Sequence, residues 1–162
     1  MYFELAEVLR TASDPKVKQQ AEVEYRHALT ENPLDEKAEA RLGEIEAQRG
    51  DVQRAFEHYS RAVDLQPGDS DAKLGLAKVL IEMDQLDKAL PLLEETVRLE
   101  PTNAVAHYRL AILYRKKGRV EDANREVDLY KKYKEAKAKL SSLYQELMIQ
   151  PRQASADEAD EK

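Results

Sequence analysis

Three prolines, Pro33, Pro67 and Pro101, stand 34 residues apart, and the residues around them repeat. "ALTENPLDEKA" (28–38), "AVDLQPGDSDA" (62–72) and "TVRLEPTNAVA" (96–106) follow one plan. An apolar stretch at helical spacing meets a proline, which ends it, and a new helical run begins. A period of 34 residues holds two helices. A helical pair this short cannot bury its apolar face alone, so it must stack on its neighbours.

The period from Glu36 to Asp69 shows how each copy works. Leu42, Gly43 and Ile45 mark the buried side of a first helix, which Gly50 ends because glycine adopts positive φ without steric penalty. Ala55, Tyr59, Ala62, Val63 and Leu65 recur at helical spacing in a second helix, stopped by Pro67. The period from Ser70 to Asn103 repeats this with Leu76, Ala77 and Leu80, then Ala89, Leu93, Val97 and Leu99. A third copy carries His107, Leu110, Ala111, Tyr114, Gly118, Ala123 and Val127.

This pattern resembles the tetratricopeptide repeat family over roughly residues 1–130. The matched positions are Leu42, Gly43, Ala55, Tyr59, Ala62 and Pro67; then Leu76, Ala77, Leu80, Ala89, Leu93 and Pro101; then His107, Leu110, Ala111, Tyr114 and Ala123. The resemblance implies an all-α fold, a right-handed α-solenoid of antiparallel helix pairs with a C-terminal capping helix. The expected divisions are an irregular first unit at 1–35, repeats at 36–69, 70–103 and 104–134, a capping continuation at 135–149, and a disordered acidic tail at 150–162.

The small residues Gly43, Ala55, Ala62, Ala77, Ala89 and Ala111 are expected to let helix backbones approach closely. Asp84 stands where the other copies place glycine, and Asp tolerates left-handed geometry better than most residues. Pro91 falls early in a second helix, where it removes one donor and is expected to kink the helix. In the first unit, Leu5 to Ala21 spans 16 residues against 13 from Leu42 to Ala55, so "TASDPKVKQ" is expected to hold about three extra residues in its turn. The unit reads as a worn N-terminal cap or as a piece of a longer array, and the second is the expectation.

From Val120 to Ile149 there is no glycine or proline. Leu129, Tyr133, Ala136, Leu140, Leu143 and Leu147 form a narrow apolar seam with spacings of 4, 3, 4, 3 and 4. The expectation is a capping helix laid on the last repeat. The alternative is a self-pairing coiled coil that would make the chain a homodimer. Lys131, Lys132, Lys134, Lys137 and Lys139 flank the seam and read as a solvated face; a site for nucleic acid or an acidic partner, with Tyr130 and Tyr133 stacking on bases, is the lesser reading.

Composition narrows the chemistry. At 162 residues the chain suits one domain rather than two. A formal net charge of −6 argues against a general nucleic-acid binder. Without cysteine there is neither a disulfide nor thiolate chemistry. No run of about 18 apolar residues and no basic-then-apolar leader is present, so a cytoplasmic protein is the default expectation. His27, His58 and His107 lie on different predicted helices, and neither metal-ligand spacing nor a phosphate-binding loop occurs. "DSD" at 69–71 reads as helix capping. No catalytic residue, metal, cofactor or small-molecule substrate is expected.

What remains is a binding surface. The family resemblance implies a groove lined by first helices that holds an extended peptide or a helix of a protein partner. Its positions here are Lys37, Ala40, Arg41, Glu44 and Gln48; then Asp71, Leu74, Lys78, Ile81 and Glu82; then Val105, Tyr108, Arg109, Ile112 and Arg115. Of these, Arg41, Glu44, Leu74, Lys78, Ile81, Tyr108, Arg109, Ile112 and Arg115 are the candidate contact residues. Leu74, Ile81, Tyr108 and Ile112 lie among Lys78, Arg109 and Arg115, which suits a peptide with apolar anchors and acidic residues. The chaperone-binding members of the family grip a C-terminal carboxylate with Lys, Asn and Arg. The matching positions here are Phe3, Glu7, Arg41, Asp71 and Gly75, or one repeat on, Ala40, Glu44, Gly75, Val105 and Arg109. Only Arg109 fits, so chaperone tails are not the expected ligand. The reading is a non-catalytic protein–protein interaction scaffold.

Overall fold

The computed structural model describes residues 1–12 and 14–157, the side chains of 15, 18 and 148–157 excepted. Among the described residues there are eight helices and no strand: α1 (Tyr2–Arg10), α2 (Pro15–Glu31), α3 (Glu36–Arg49), α4 (Val52–Leu65), α5 (Ser70–Glu82), α6 (Leu86–Leu99), α7 (Ala104–Lys116) and α8 (Val120–Asp157). They fall into two compact units rather than the one that length suggests. The first runs from Met1 to Pro101 and the second begins at Thr102.

The 34-residue period is written in the caps. Two residues after each spaced proline stands an acceptor: Asp35, Asp69 and Asn103. Their side chains accept hydrogen bonds from the backbone N–H groups of Ala38 at 3.0 Å, Ala72 at 3.0 Å and Ala106 at 3.1 Å. Each satisfies a donor that the helix start leaves open. The turns inside the repeats share one device at the same period. Gly50, Asp84 and Gly118 take φ of 82°, 56° and 74°. The next N–H then reaches back to close the helix, from Asp51 to the Glu46 carbonyl, Gln85 to Leu80 and Arg119 to Tyr114, at 2.8–2.9 Å. Asp84 therefore does adopt the left-handed geometry its position demands.

In the first unit, α1 packs on α2, α3 on α4 and α5 on α6, and α2–α3 and α4–α5 join successive pairs. Ala6, Ala38, Ala55, Ala62, Ala77 and Ala89 are fully inaccessible, so backbones meet at small residues while Leu42 and Leu93 fill the spaces between. The excess length of the first pair is shared between the turn, which holds residues 11–14 where the next holds 50–51, and the second helix. Asp14 caps α2 through the Lys16 N–H at 2.8 Å, and Pro15 follows in the first turn. That start signal begins the helix early, so α2 has 17 residues against 14 in α4 and α6. Pro91 lies inside α6, which continues to Leu99.

Each repeat also buries one ionisable side chain at the same register of its first helix: Glu39, Lys73 and His107. Each meets an opposite partner on its own second helix. Glu39 lies 2.6 Å from His58 Nδ1, Lys73 Nζ 2.7 Å from Glu95, and His107 Nδ1 2.6 Å from Glu126. Such residues are almost never fully buried unless paired.

In the second unit, α7 and the start of α8 bury Leu110, Leu113, Tyr114 and Ala123. His107 stacks on Tyr133 with centroids 5.4 Å apart, and the Arg119 guanidinium lies 4.1 Å over the Tyr114 ring. α8 covers α7 as far as Tyr133 and then runs on in one helix, with every side chain from 134 to 147 exposed. The helix continues through 150–157, where the sequence suggests the tail begins; residues 158–162 of that tail lie outside the described residues.

Candidate peptide-binding groove

A cleft of 230 Å³ opens on the first unit between α3 and α5, with α4 as its floor. Ala40, Arg41 and Glu44 come from α3, Tyr59 from α4, and Asp71, Ala72, Leu74, Gly75 and Lys78 from α5. Helical spacing puts 71, 74, 75 and 78 on one face of α5, and 40, 41 and 44 on one face of α3. Tyr59 reaches the floor because the helices beside it carry Gly43 and Gly75. A β-carbon at Gly43 would stand 2.9 Å from Tyr59 Cγ, and one at Gly75 would stand 2.3 Å from Cε1.

Arg41 is held from behind. Its Nε donates to Glu7 Oε1 at 2.8 Å and its Nη1 to Glu44 Oε2 at 3.2 Å. Glu7 in turn accepts from the Tyr25 hydroxyl at 2.5 Å and from Arg10 at 3.1 Å. Burial pushes the Glu7 carboxyl up, but the Tyr25 and Arg10 hydrogen bonds and the nearby guanidinium charges outweigh it and hold it below 4.5. The cation of Arg41 is thus already met by two carboxylates.

Asp71 and Lys78 differ. Among the described residues neither has an ion-pair partner. They stand two turns apart on α5, about 10 Å along its axis, with Leu74 between them. Partial loss of water at the cleft edge, then the charges of Glu100 and Asp69, push the exposed Asp71 carboxyl above its ordinary 3.8. The cleft therefore offers one unpaired anion, one unpaired cation and an aromatic floor. Of the candidate contact residues, Arg41, Glu44, Leu74 and Lys78 line it, with Leu74 almost fully buried; Ile81, half-buried one turn beyond Lys78, does not.

The remaining candidates lie on α7 of the second unit. Tyr108 leans on Tyr130 of α8, centroids 5.3 Å apart, and Lys134 Nζ donates to the Tyr130 hydroxyl at 3.1 Å. Arg109 and Ile112 are half-buried and Arg115 is exposed. The Arg109 Nε is buried with no hydrogen-bond partner among the described residues. Tyr133 lies against His107 on α7. Among the described residues no group of three His, Cys, Asp or Glu side chains could hold a metal, and no helix is long and apolar enough to cross a membrane.

Tyr59, the cleft floor, is absent from the expected groove positions, whereas Asp71 is among them without being singled out as a contact residue. The signal for Tyr59 was the pair of glycines at 43 and 75, one on each neighbouring first helix.

Comparison with known proteins agrees with this architecture. Two models described as tetratricopeptide repeat match the chain, one at residues 46–97 and 82–147, the other at 18–70. An inactive TPR repeat-containing thioredoxin of Arabidopsis thaliana, TTL3, is 34% identical over 97 residues, covering 60% of this chain and 14% of that protein. The putative cytochrome c-type biogenesis protein CcmH of Haemophilus influenzae is 38% identical over 99 residues, 59% of this chain and 22% of that one. The chain thus spans less than a quarter of the length of these curated relatives. Among solved structures, MamA superposes with a TM-score of 0.71 at 22% identity, covering 85% of this chain and 79% of MamA. YrrB, described as a TPR protein with an unusual peptide-binding site, superposes with 0.72 at 19% identity, covering 82% of this chain and 66% of its own.

Proposed function

The chain belongs to the tetratricopeptide repeat family, whose members are generally non-catalytic scaffolds, and on that premise we propose that the α3–α5 cleft binds an extended peptide segment of a protein partner. The fold supports a protein–protein interaction role. The observation that carries the finer reading is the unpaired couple of Asp71 and Lys78 across Leu74, over the Tyr59 floor. Lys78 takes an acidic side chain of the peptide, and Asp71 takes a cationic or amide group two to three residues away in the extended segment. Arg41 supplies hydrogen-bond geometry rather than net charge, because Glu7 and Glu44 already occupy it. On the second unit, Tyr108, Arg109, Ile112 and Arg115 offer a further contact face for acidic and apolar groups.

A displayed random-peptide library selected on the full chain tests this. Selected peptides should carry an acidic residue, and Lys78→Glu should abolish their binding while Asp71→Lys shifts the selected charges. A library that yields no binders, or binders indifferent to both substitutions, would sink the proposal.

A further inference from the structure

The second half of α8 is an apolar seam with nothing on it. From 134 to 147 every side chain is exposed, including Leu140 at 53%, Leu143 at 47% and Leu147 at 62%. The first half of the same seam is occupied, since Tyr133 lies against His107 of α7. α7 has 13 residues and cannot follow α8 further. A helix of four turns gains little stability from propensity alone and relies on packing of its apolar face. The stripe of Ala136, Leu140, Leu143 and Leu147 is narrow, with 4-3-4 spacing. That is the width of a coiled-coil seam rather than of a face that lies on a lipid surface.

We propose that this free half of α8 pairs antiparallel with the same segment of a second copy, about a two-fold axis passing between Ser141 and Ser142. The flanking charges choose both partner and direction. Taking Leu140 and Leu147 as one core position and Ala136 and Leu143 as the other, the residues beside the seam are Lys132, Lys139 and Glu146 on one side. Tyr130, Lys137 and Tyr144 lie on the other. A parallel pair sets Lys132 against Lys137 of the second copy, twice. The antiparallel pair centred between 141 and 142 layers Leu140 on Leu143 and Ala136 on Leu147. It sets Lys139 against Glu146, twice, and Lys137 beside Tyr144, with no like charges opposed. Sliding by one heptad brings Lys139 onto Lys139 or Glu146 onto Glu146. Of these arrangements, the centred antiparallel one alone opposes no like charges along the seam.

The test is sedimentation equilibrium of the full chain across roughly a hundredfold concentration range, where mass action drives pairing. The mass should rise from the 18.5 kDa monomer toward twice that. Leu140→Glu/Leu143→Glu should hold it at the monomer while the repeats keep their unfolding transition, as these exposed positions contribute nothing to the repeat cores. Lys139→Glu or Glu146→Lys alone should weaken the dimer roughly two- to tenfold, and the double substitution should restore it. A monomer at every concentration overturns the proposal, including one whose α8 instead binds acidic vesicles. So does a dimer indifferent to the leucine substitutions, or a double charge exchange that fails to rescue.

Discussion

The ring of Tyr59 lies against Gly75 so closely that any side chain there would strike it: a β-carbon would stand 2.3 Å from Cε1 and 2.4 Å from Cζ. A β-carbon at Gly43 would likewise stand 2.9 Å from Cγ, so the ring is crowded from both neighbouring first helices. Gly75→Ala should therefore destabilise the fold by about 1–3 kcal/mol, the usual cost of overpacking a filled core. Gly68→Ala, with nothing within 4 Å of its β-carbon, should be near neutral. Urea unfolding of the two variants makes the comparison, and equal midpoints would refute it.

The buried pair of Glu39 and His58 is the reverse of the pair of His107 and Glu126, at the same two registers 68 residues on. Glu39→Ala should cost roughly 1–3 kcal/mol, because the His58 ring loses its partner in a nearly buried site. The exchange Glu39→His/His58→Glu should recover most of what either single change loses, since the third repeat folds with that arrangement. A double variant no more stable than the sum of its singles would show that the backbones around the two pairs are not equivalent.

Asp84 holds φ of 56° where Gly50 and Gly118 hold the same turn in the other repeats. Left-handed geometry costs an ordinary residue roughly 1–2 kcal/mol, of which glycine's greater freedom in the unfolded chain returns part. Asp84→Gly should stabilise the chain by about 0.5–1 kcal/mol by thermal or chemical denaturation. A lower melting temperature would mean that the Asp84 side chain contributes more than its backbone loses.

Stability against pH should show carboxylates acting in opposite directions. Glu7 is held below 4.5, and Glu22 likewise by the Arg49 hydrogen bond and by Arg26. Their contribution is complete above about pH 4.5 and is lost as pH falls through the lowered folded-state values. Asp71 works the other way. Its folded-state carboxyl is raised, so the ionised form present at neutral pH opposes folding, and the penalty disappears below about pH 3.8. Glu7→Gln should flatten the acid limb of a stability–pH curve. Asp71→Asn should raise the melting temperature slightly at pH 7 and not at pH 3, the effect being small because the side chain is exposed. A gain from Asp71→Asn with no loss of peptide binding would detach this residue from the proposed site.

Much of the architecture was legible in the chain itself. The three prolines gave the period, and the glycines at 50 and 118 marked turns that Asp84 completes. Most apolar residues of α3–α7 announced their buried faces, but Leu65 and Leu99, at the ends of α4 and α6, are exposed because the helix outruns its packing there. What could not be read was anything that depends on which helix rotation meets which. His58 and His107 looked isolated because their partners stand 19 residues away on the neighbouring helix. Nothing in the sequence marks Lys73 as the lysine that is buried against Glu95. The groove list placed residues by register alone. Register cannot show that Glu7 and Glu44 neutralise Arg41 or that Tyr108 turns toward Tyr130. The seam of α8 was visible, but where α7 stops covering it depends on the relative lengths of two packed helices.

The ionisable side chain that each first helix buries acts as an address. Moving α3 against the second helix of the third repeat would confront Glu39 with Glu126, and moving α7 against α4 would confront His107 with His58. Two carboxylates pressed together away from water are strongly disfavoured, and two imidazoles lose the charge-assisted hydrogen bond that each makes to its glutamate. Hairpins of similar outline are thus not interchangeable parts. The discrimination falls on α3, since Lys73 and His107 both face a glutamate and only Glu39 faces a histidine. During folding this discriminates against mispaired hairpins, and it sets a rule for anyone recombining the repeats: cut between hairpins, never within one.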